Sequence, residues 1–113
     1  MDYIAFQVKG SADEPYVVTF TRRGSDFLAS CTCQAGQSRQ SCKHRLSILA
    51  NSSSGVVSSN LADIPLVASW LPGSSIEAAL TSLFSAEAEL ARAKVAVSSA
   101  KKALAAAMHG AAP

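Results

Sequence analysis

Three cysteines and a histidine fall close together in this chain, in the order Cys31-Thr32-Cys33, eight further residues, then Cys42-Lys43-His44. Thiolates and imidazoles are donors that zinc favours, and zinc takes four of them in a tetrahedron. The pattern C-x-C-x8-C-x-H supplies four such donors and leaves no cysteine over. Four protein ligands close the coordination sphere, and a closed site is structural rather than hydrolytic. The expectation is one structural Zn2+ per chain, held by Cys31, Cys33, Cys42 and His44. Two other readings of the same residues compete with it. The cysteines could be small buried apolar groups, but the Gln34-Ala35-Gly36-Gln37-Ser38 that follows Cys33 is not a core environment. Cys42 and His44 could form a nucleophile and base, but such pairs normally come from distant chain positions, and no orienting acid lies nearby.

A second set of chemistry-bearing residues surrounds the first. Arg22, Arg23, Arg39, Lys43 and Arg45 crowd this stretch, and only Asp26 opposes them. One reading is a face that contacts nucleic-acid phosphates. The other is charge compensation, because zinc bound by three thiolates and a histidine carries a formal charge of about −1. The sequence does not separate the two. No aromatic residue interleaves with the basic ones, which disfavours a stacking platform for single strands. Tyr16, Phe20 and Phe27 are expected in the core instead.

These side chains need elements to position them. In residues 3–8, Ile4, Phe6 and Val8 alternate onto one face, and in 16–21 Tyr16, Val18 and Phe20 do the same, so both segments read as strands. Residues 10–15 form a polar turn, and 22–25 read as a hairpin loop leading to a return strand over 26–31 that ends in the first cysteine. Residues 34–40 read as a polar loop. Ser41 suits an N-cap for a helix over 42–50, with Leu46, Leu49 and Ala50 on one side, and Asn51 suits its end. Residues 51–60, rich in Ser, read as a flexible linker, and 61–72 as a short helical turn whose apolar residues pack on the module or the tail.

The order of strand, Cys31-x-Cys33, polar loop, Cys42-Lys43-His44 and apolar helix resembles the SWIM zinc finger, whose pattern is C-x-C-x(n)-C-x-H. Tyr16-Val17-Val18-Thr19-Phe20 and Leu46-Ser47-Ile48-Leu49-Ala50 also match the family's flanks, so the resemblance covers roughly residues 14–52. The family usually has a proline after the second cysteine, where this chain has Gln34. That departure bears on loop stiffness more than on metal binding. SWIM modules occur in transposases, chromatin-remodelling ATPases, recombination factors and some ubiquitin-linked proteins. The resemblance implies DNA binding or protein binding without choosing between them.

Ser74 and Glu77 match the S-x-x-E capping box, and a long helix is expected from Ile76 to about His109, closed by Gly110. Along it Ile76, Leu83, Leu90, Val97 and Leu104 recur every seven residues, with Ala79, Ala86, Ala93, Ala100 and Ala107 three positions after each. This 3-4 spacing is a coiled-coil pattern in which one seam position is always large and the other always Ala, and the small residues imply a tight, antiparallel pairing. Self-association, most simply as a homodimer, is the leading expectation, against packing back on the module or onto another protein. High alanine content favours helix by itself, but it does not explain the recurrence of the large residues. His109 reads as an end-of-helix residue rather than a ligand.

Composition bounds the remainder. Hydrophobic residues make up 49% and charged ones 16%, which argues for a folded chain, although many of the apolar residues are alanines of the tail. A core this thin needs a staple. The net charge of +2 moves close to +1 with three thiolates and a dication bound, so bulk charge says little about partners. No membrane span and no basic-then-apolar leader is visible, so a reducing cytoplasmic or nuclear compartment is expected. The fold class expected is α+β. Residues 1–52 form the metal module, 53–73 a linker with a helical turn, and 74–110 the heptad helix. The function expected is non-catalytic: a zinc module that binds DNA through its basic face, or alternatively an adaptor or inhibitor docking on a larger protein. No carboxylate pair, phosphate loop or open metal site points to an enzyme.

Overall fold

The computed structural model of the chain describes residues 2–110. The fold is α+β: a three-stranded antiparallel sheet, then short helices, then one long helix. The chain divides into two units, Met1–Ala78 and Ala79–Pro113.

In the first unit the sheet order is β1 (Tyr3–Val8), β2 (Tyr16–Arg23), β3 (Asp26–Cys31). The alternation in the sequence is met. Phe6, Val8, Val18, Phe20 and Phe27 are buried on one face, with Ile4 and Tyr16 half-buried beside them. The hairpin is tighter than expected. β2 runs through Arg23, which pairs with Asp26, so only Gly24 and Ser25 turn the chain. Gly24 supplies the positive φ (60°) that a two-residue hairpin needs at its first position.

Helix α2 (Lys43–Leu49) lays Ile48 and Leu49 into the core. It starts one residue later than expected: Cys42, not Ser41, is the N-cap, with extended backbone and no side-chain cap bond. Asn51 ends the helix in the left-handed region, at φ 64°. A 3-10 turn (Leu61–Asp63) and α3 (Ile64–Ala68) bring Ile64, Val67 and Trp70 onto the same core.

Two segments differ from the sequence reading. Residues 34–40 are not wholly loop, because α1 (Gln34–Gln37) opens there with Cys33 as its N-cap. Nor is the segment after α2 a free linker. Lys9 N–H donates to Gly55 C=O at 2.8 Å, Val57 N–H to Gln7 C=O at 2.8 Å, and Asn60 Nδ2 to Ala5 C=O at 2.8 Å. A strand edge carries unpaired N–H and C=O groups, and this segment satisfies those of β1.

Helix α4 (Ser75–Met108) begins within the first unit. Ser74 Oγ accepts from Glu77 N–H at 3.1 Å, as the capping box requires, while Glu77 Oε1 accepts from Gly73 N–H at 3.0 Å rather than from Ser74. Ile76 is half-buried against the core. The second unit is helical from Ala79 to Met108, and none of its described side chains is buried. Among the described residues, no helix is long and apolar enough to cross a membrane.

Candidate metal centre

The antiparallel register places Cys31 at the last position of β3, opposite Val18. Two residues on, Cys33 is the N-cap of α1, and Cys42 is the N-cap residue of α2, two positions before His44. The three thiols and the imidazole thereby meet: one ligand atom from each of Cys31, Cys33, Cys42 and His44 lies within 4.8 Å of every other. Sulfurs on a tetrahedral zinc sit about 3.8 Å apart, given Zn–S bonds near 2.3 Å. The cluster is therefore of a size that could hold one metal ion. His44 Nδ1 faces Cys31 Sγ at 3.8 Å, so Nδ1 is the nitrogen turned inward. The cysteines are buried and free of disulfides.

The surroundings suit thiolates. Gly36 N–H donates to Cys33 Sγ at 3.3 Å, and Arg45 Nε donates to Cys42 Sγ at 3.2 Å. Burial, with the nearby Cys33 and Cys42 thiols, pushes the Cys31 thiol up to about 12. Burial works against ionisation of Cys42 as well, but the Arg45 hydrogen bonds and charge hold that thiol below its ordinary value. Three thiols at this spacing ionise together only against a cation. Burial, and then the charge of Lys43, hold His44 below its ordinary value, which keeps it the neutral imidazole that ligates metals.

Two residues that support this geometry carried no ligand signal in the sequence. Gly36 passes so near the Cys31 carbonyl that an added Cβ would lie 2.1 Å from its oxygen. Arg45 Nη1 donates to Ala29 C=O at 3.2 Å and Nη2 to Gln40 C=O, so one guanidinium ties β3, the α1–α2 connection and Cys42 together.

Arg22 and Arg23 lie apart from Arg39, Lys43 and Arg45, which neighbour one another where α1 connects to α2. Arg22 and Arg23 sit at the hairpin end of β2, with Arg23 five positions along the strand from the residue that pairs with Cys31, or about 17 Å. The Arg22 guanidinium lies 5.7 Å from the centre of the Trp70 ring, and its Nε donates to Gly24 C=O. Arg45 is engaged as described. Arg39 is exposed after α1, with φ 60°. Lys43 is exposed and, together with Lys9 and His44, lines a groove of about 340 Å³. The tail residues Leu83, Leu90, Val97 and Leu104 are 41–57% exposed.

No family model, curated protein or solved structure matches this chain.

Proposed function

We propose that the first unit is a SWIM-type module stapled by one structural zinc ion, that it is non-catalytic, and that it binds DNA, with the tail helix joining two copies. The observation that carries the metal reading is the convergence of four donors, three of them buried thiols with hydrogen-bond donors aimed at two of the sulfurs. Zinc is the ion favoured by that donor set. Four protein ligands leave no coordination position for substrate, which supports a structural rather than a hydrolytic role. Three free cysteines, none paired in a disulfide, support a reducing compartment.

Support for nucleic acid comes from exposed cations: Arg23 and Arg39, and Lys43 beside Lys9 at the groove. Such contacts are to phosphate, so binding is sequence-tolerant and falls steeply with salt. The test is DNA affinity measured across salt concentrations for wild type and for Arg23→Glu with Lys43→Glu. Each lost phosphate contact lowers the slope of log affinity on log salt by about 0.9. Unchanged slope and affinity, with metal content intact, would remove the DNA reading.

A protein-docking adaptor is the second reading, and one observation favours it. Arg45 and Arg22 are engaged within the chain, which thins the basic face, while Leu28 and Leu66 stand 51% and 49% exposed on the module. Capture of a nuclease-resistant partner by the wild type, lost on Leu28→Ser, is what that reading requires.

A further inference from the structure

We infer that the tail helices of two copies pair antiparallel, centred on the middle of α4. This rests on the dimer reading above and goes further by fixing the register of the antiparallel pairing.

The first argument is size. In a parallel pair like positions meet, so layers of two large residues would alternate with layers of two alanines. The large layers would hold the axes apart and leave the alanine layers underfilled. In an antiparallel pair each large position meets an Ala position. One register places Leu90 against Ala93 of the second copy, Leu83 against Ala100 and Val97 against Ala86. Its centre lies between residues 91 and 92, which is the midpoint of Ser75–Met108. Every layer then has nearly equal volume, at the close axial spacing that small residues permit.

Charge is the second, independent argument. Within α4 all the acidic residues, Glu77, Glu87 and Glu89, precede residue 90, and all the basic ones, Arg92, Lys94, Lys101 and Lys102, follow residue 91. Polarity of this sign also suits the helix macrodipole, but that effect is confined to the first and last turns. Glu87, Glu89, Arg92 and Lys94 lie mid-helix, where the dipole gives no reason for the segregation. A parallel pair would bring acidic half beside acidic half and basic half beside basic half, with Glu89 to Lys94 of the second copy as its one favourable pair and Glu87 facing Ser82. The antiparallel register sets Glu87 beside Lys94 of the second copy, twice by symmetry.

The test uses zinc-loaded full-length protein carrying single added cysteines, Ala86→Cys or Val97→Cys, under mild oxidation, with mass measured by light scattering. The inference requires a dimer mass and a cross-link formed when the two variants are mixed, with no Ala86→Cys self-link. A self-link would overturn the antiparallel arrangement and leave the dimer standing, and a dimer with neither link would overturn the register. A monomer mass for wild type would overturn the dimer reading and this inference together. Charge provides a second readout. Glu87→Lys should weaken dimerisation roughly tenfold by placing lysines opposite Lys94, and adding Lys94→Glu should restore it. Failure of the double change to restore it would count against the register.

Discussion

Arg45 donates from Nε to the Sγ of Cys42 at 3.2 Å, three residues before it in the chain. The contact places a fixed positive charge against one of the three thiols, on the same guanidinium that holds the main chain of β3 and of the α1–α2 connection.

Arg45→Met keeps an apolar stem and removes all of these bonds. Groups that orient and polarise metal ligands typically matter by about 10–100-fold in affinity. The variant is expected to lose metal to a competing chelator at concentrations lower by that factor. A competition curve that overlays wild type would show that the contact is incidental to the site.

Cys42→Ser removes one of the four clustered donors, and on the zinc reading proposed above it removes the staple of a thin core. The single tryptophan, Trp70, is buried against Phe27 in that core. Its emission should shift to that of a solvated indole while far-ultraviolet circular dichroism keeps part of the helical signal of α4. Native Trp70 emission and an unchanged thermal transition would mean that the fold does not depend on the cluster.

Gly36→Ala drives a methyl group against the Cys31 carbonyl, which must move away. Overpacking of this kind costs about 1–3 kcal/mol, and here the displaced atoms belong to Cys31, one of the four clustered donors. Reduced metal retention together with a lower melting temperature is expected. Wild-type values for both would show that the α1 turn adapts freely.

Much of this architecture was legible from residue order. The four donors lie close in the chain, so local spacing alone identified them, and the alternation in 3–8 and 16–21 marked both strands. Other features carried no such pattern. The α1 turn is held by a cysteine sulfur accepting from Gly36, and neither residue signals a helix. The cover over the edge of β1 comes in equal part from the main chain of Gly55 and Val57 and from the side chains of Ser58 and Asn60, all about 50 positions away, a separation that local sequence pattern does not read. Arg45 read only as charge, because its use as a three-way donor depends on where Ala29 and Gln40 end in space.

Asp26 joins the hairpin to the start of α4: its Oδ1 accepts from Ser75 N–H at 3.3 Å and from Phe27 N–H at 2.9 Å. Hydrogen bonds from Ser75 and Phe27 hold its carboxyl below the usual carboxylate range. A depressed folded value means that this stabilisation is present above the unfolded pKa, about 4, and is lost as pH falls through the folded value. Asp26→Asn should therefore be less stable than wild type at pH 7, with the gap constant down to about pH 5 and closing below it. Denaturant midpoints across that range check this, and a gap that does not narrow on acidification would assign the effect to shape rather than charge.

On the tail, Ala93→Leu should overpack the seam and weaken association, while Ser98→Ala, off the seam, should be tolerated. Light scattering at micromolar concentration distinguishes the two. A wild-type monomer mass left unchanged by Ala93→Leu would mean that the stripe packs elsewhere or awaits a different partner.

The most direct measurement is the metal content of full-length protein purified without chelator, by elemental analysis together with native mass spectrometry. One zinc per chain is predicted, lost when Cys31, Cys33, Cys42 or His44 is replaced. A stoichiometry near zero, with Trp70 still buried and all three cysteines freely reactive, would contradict the account.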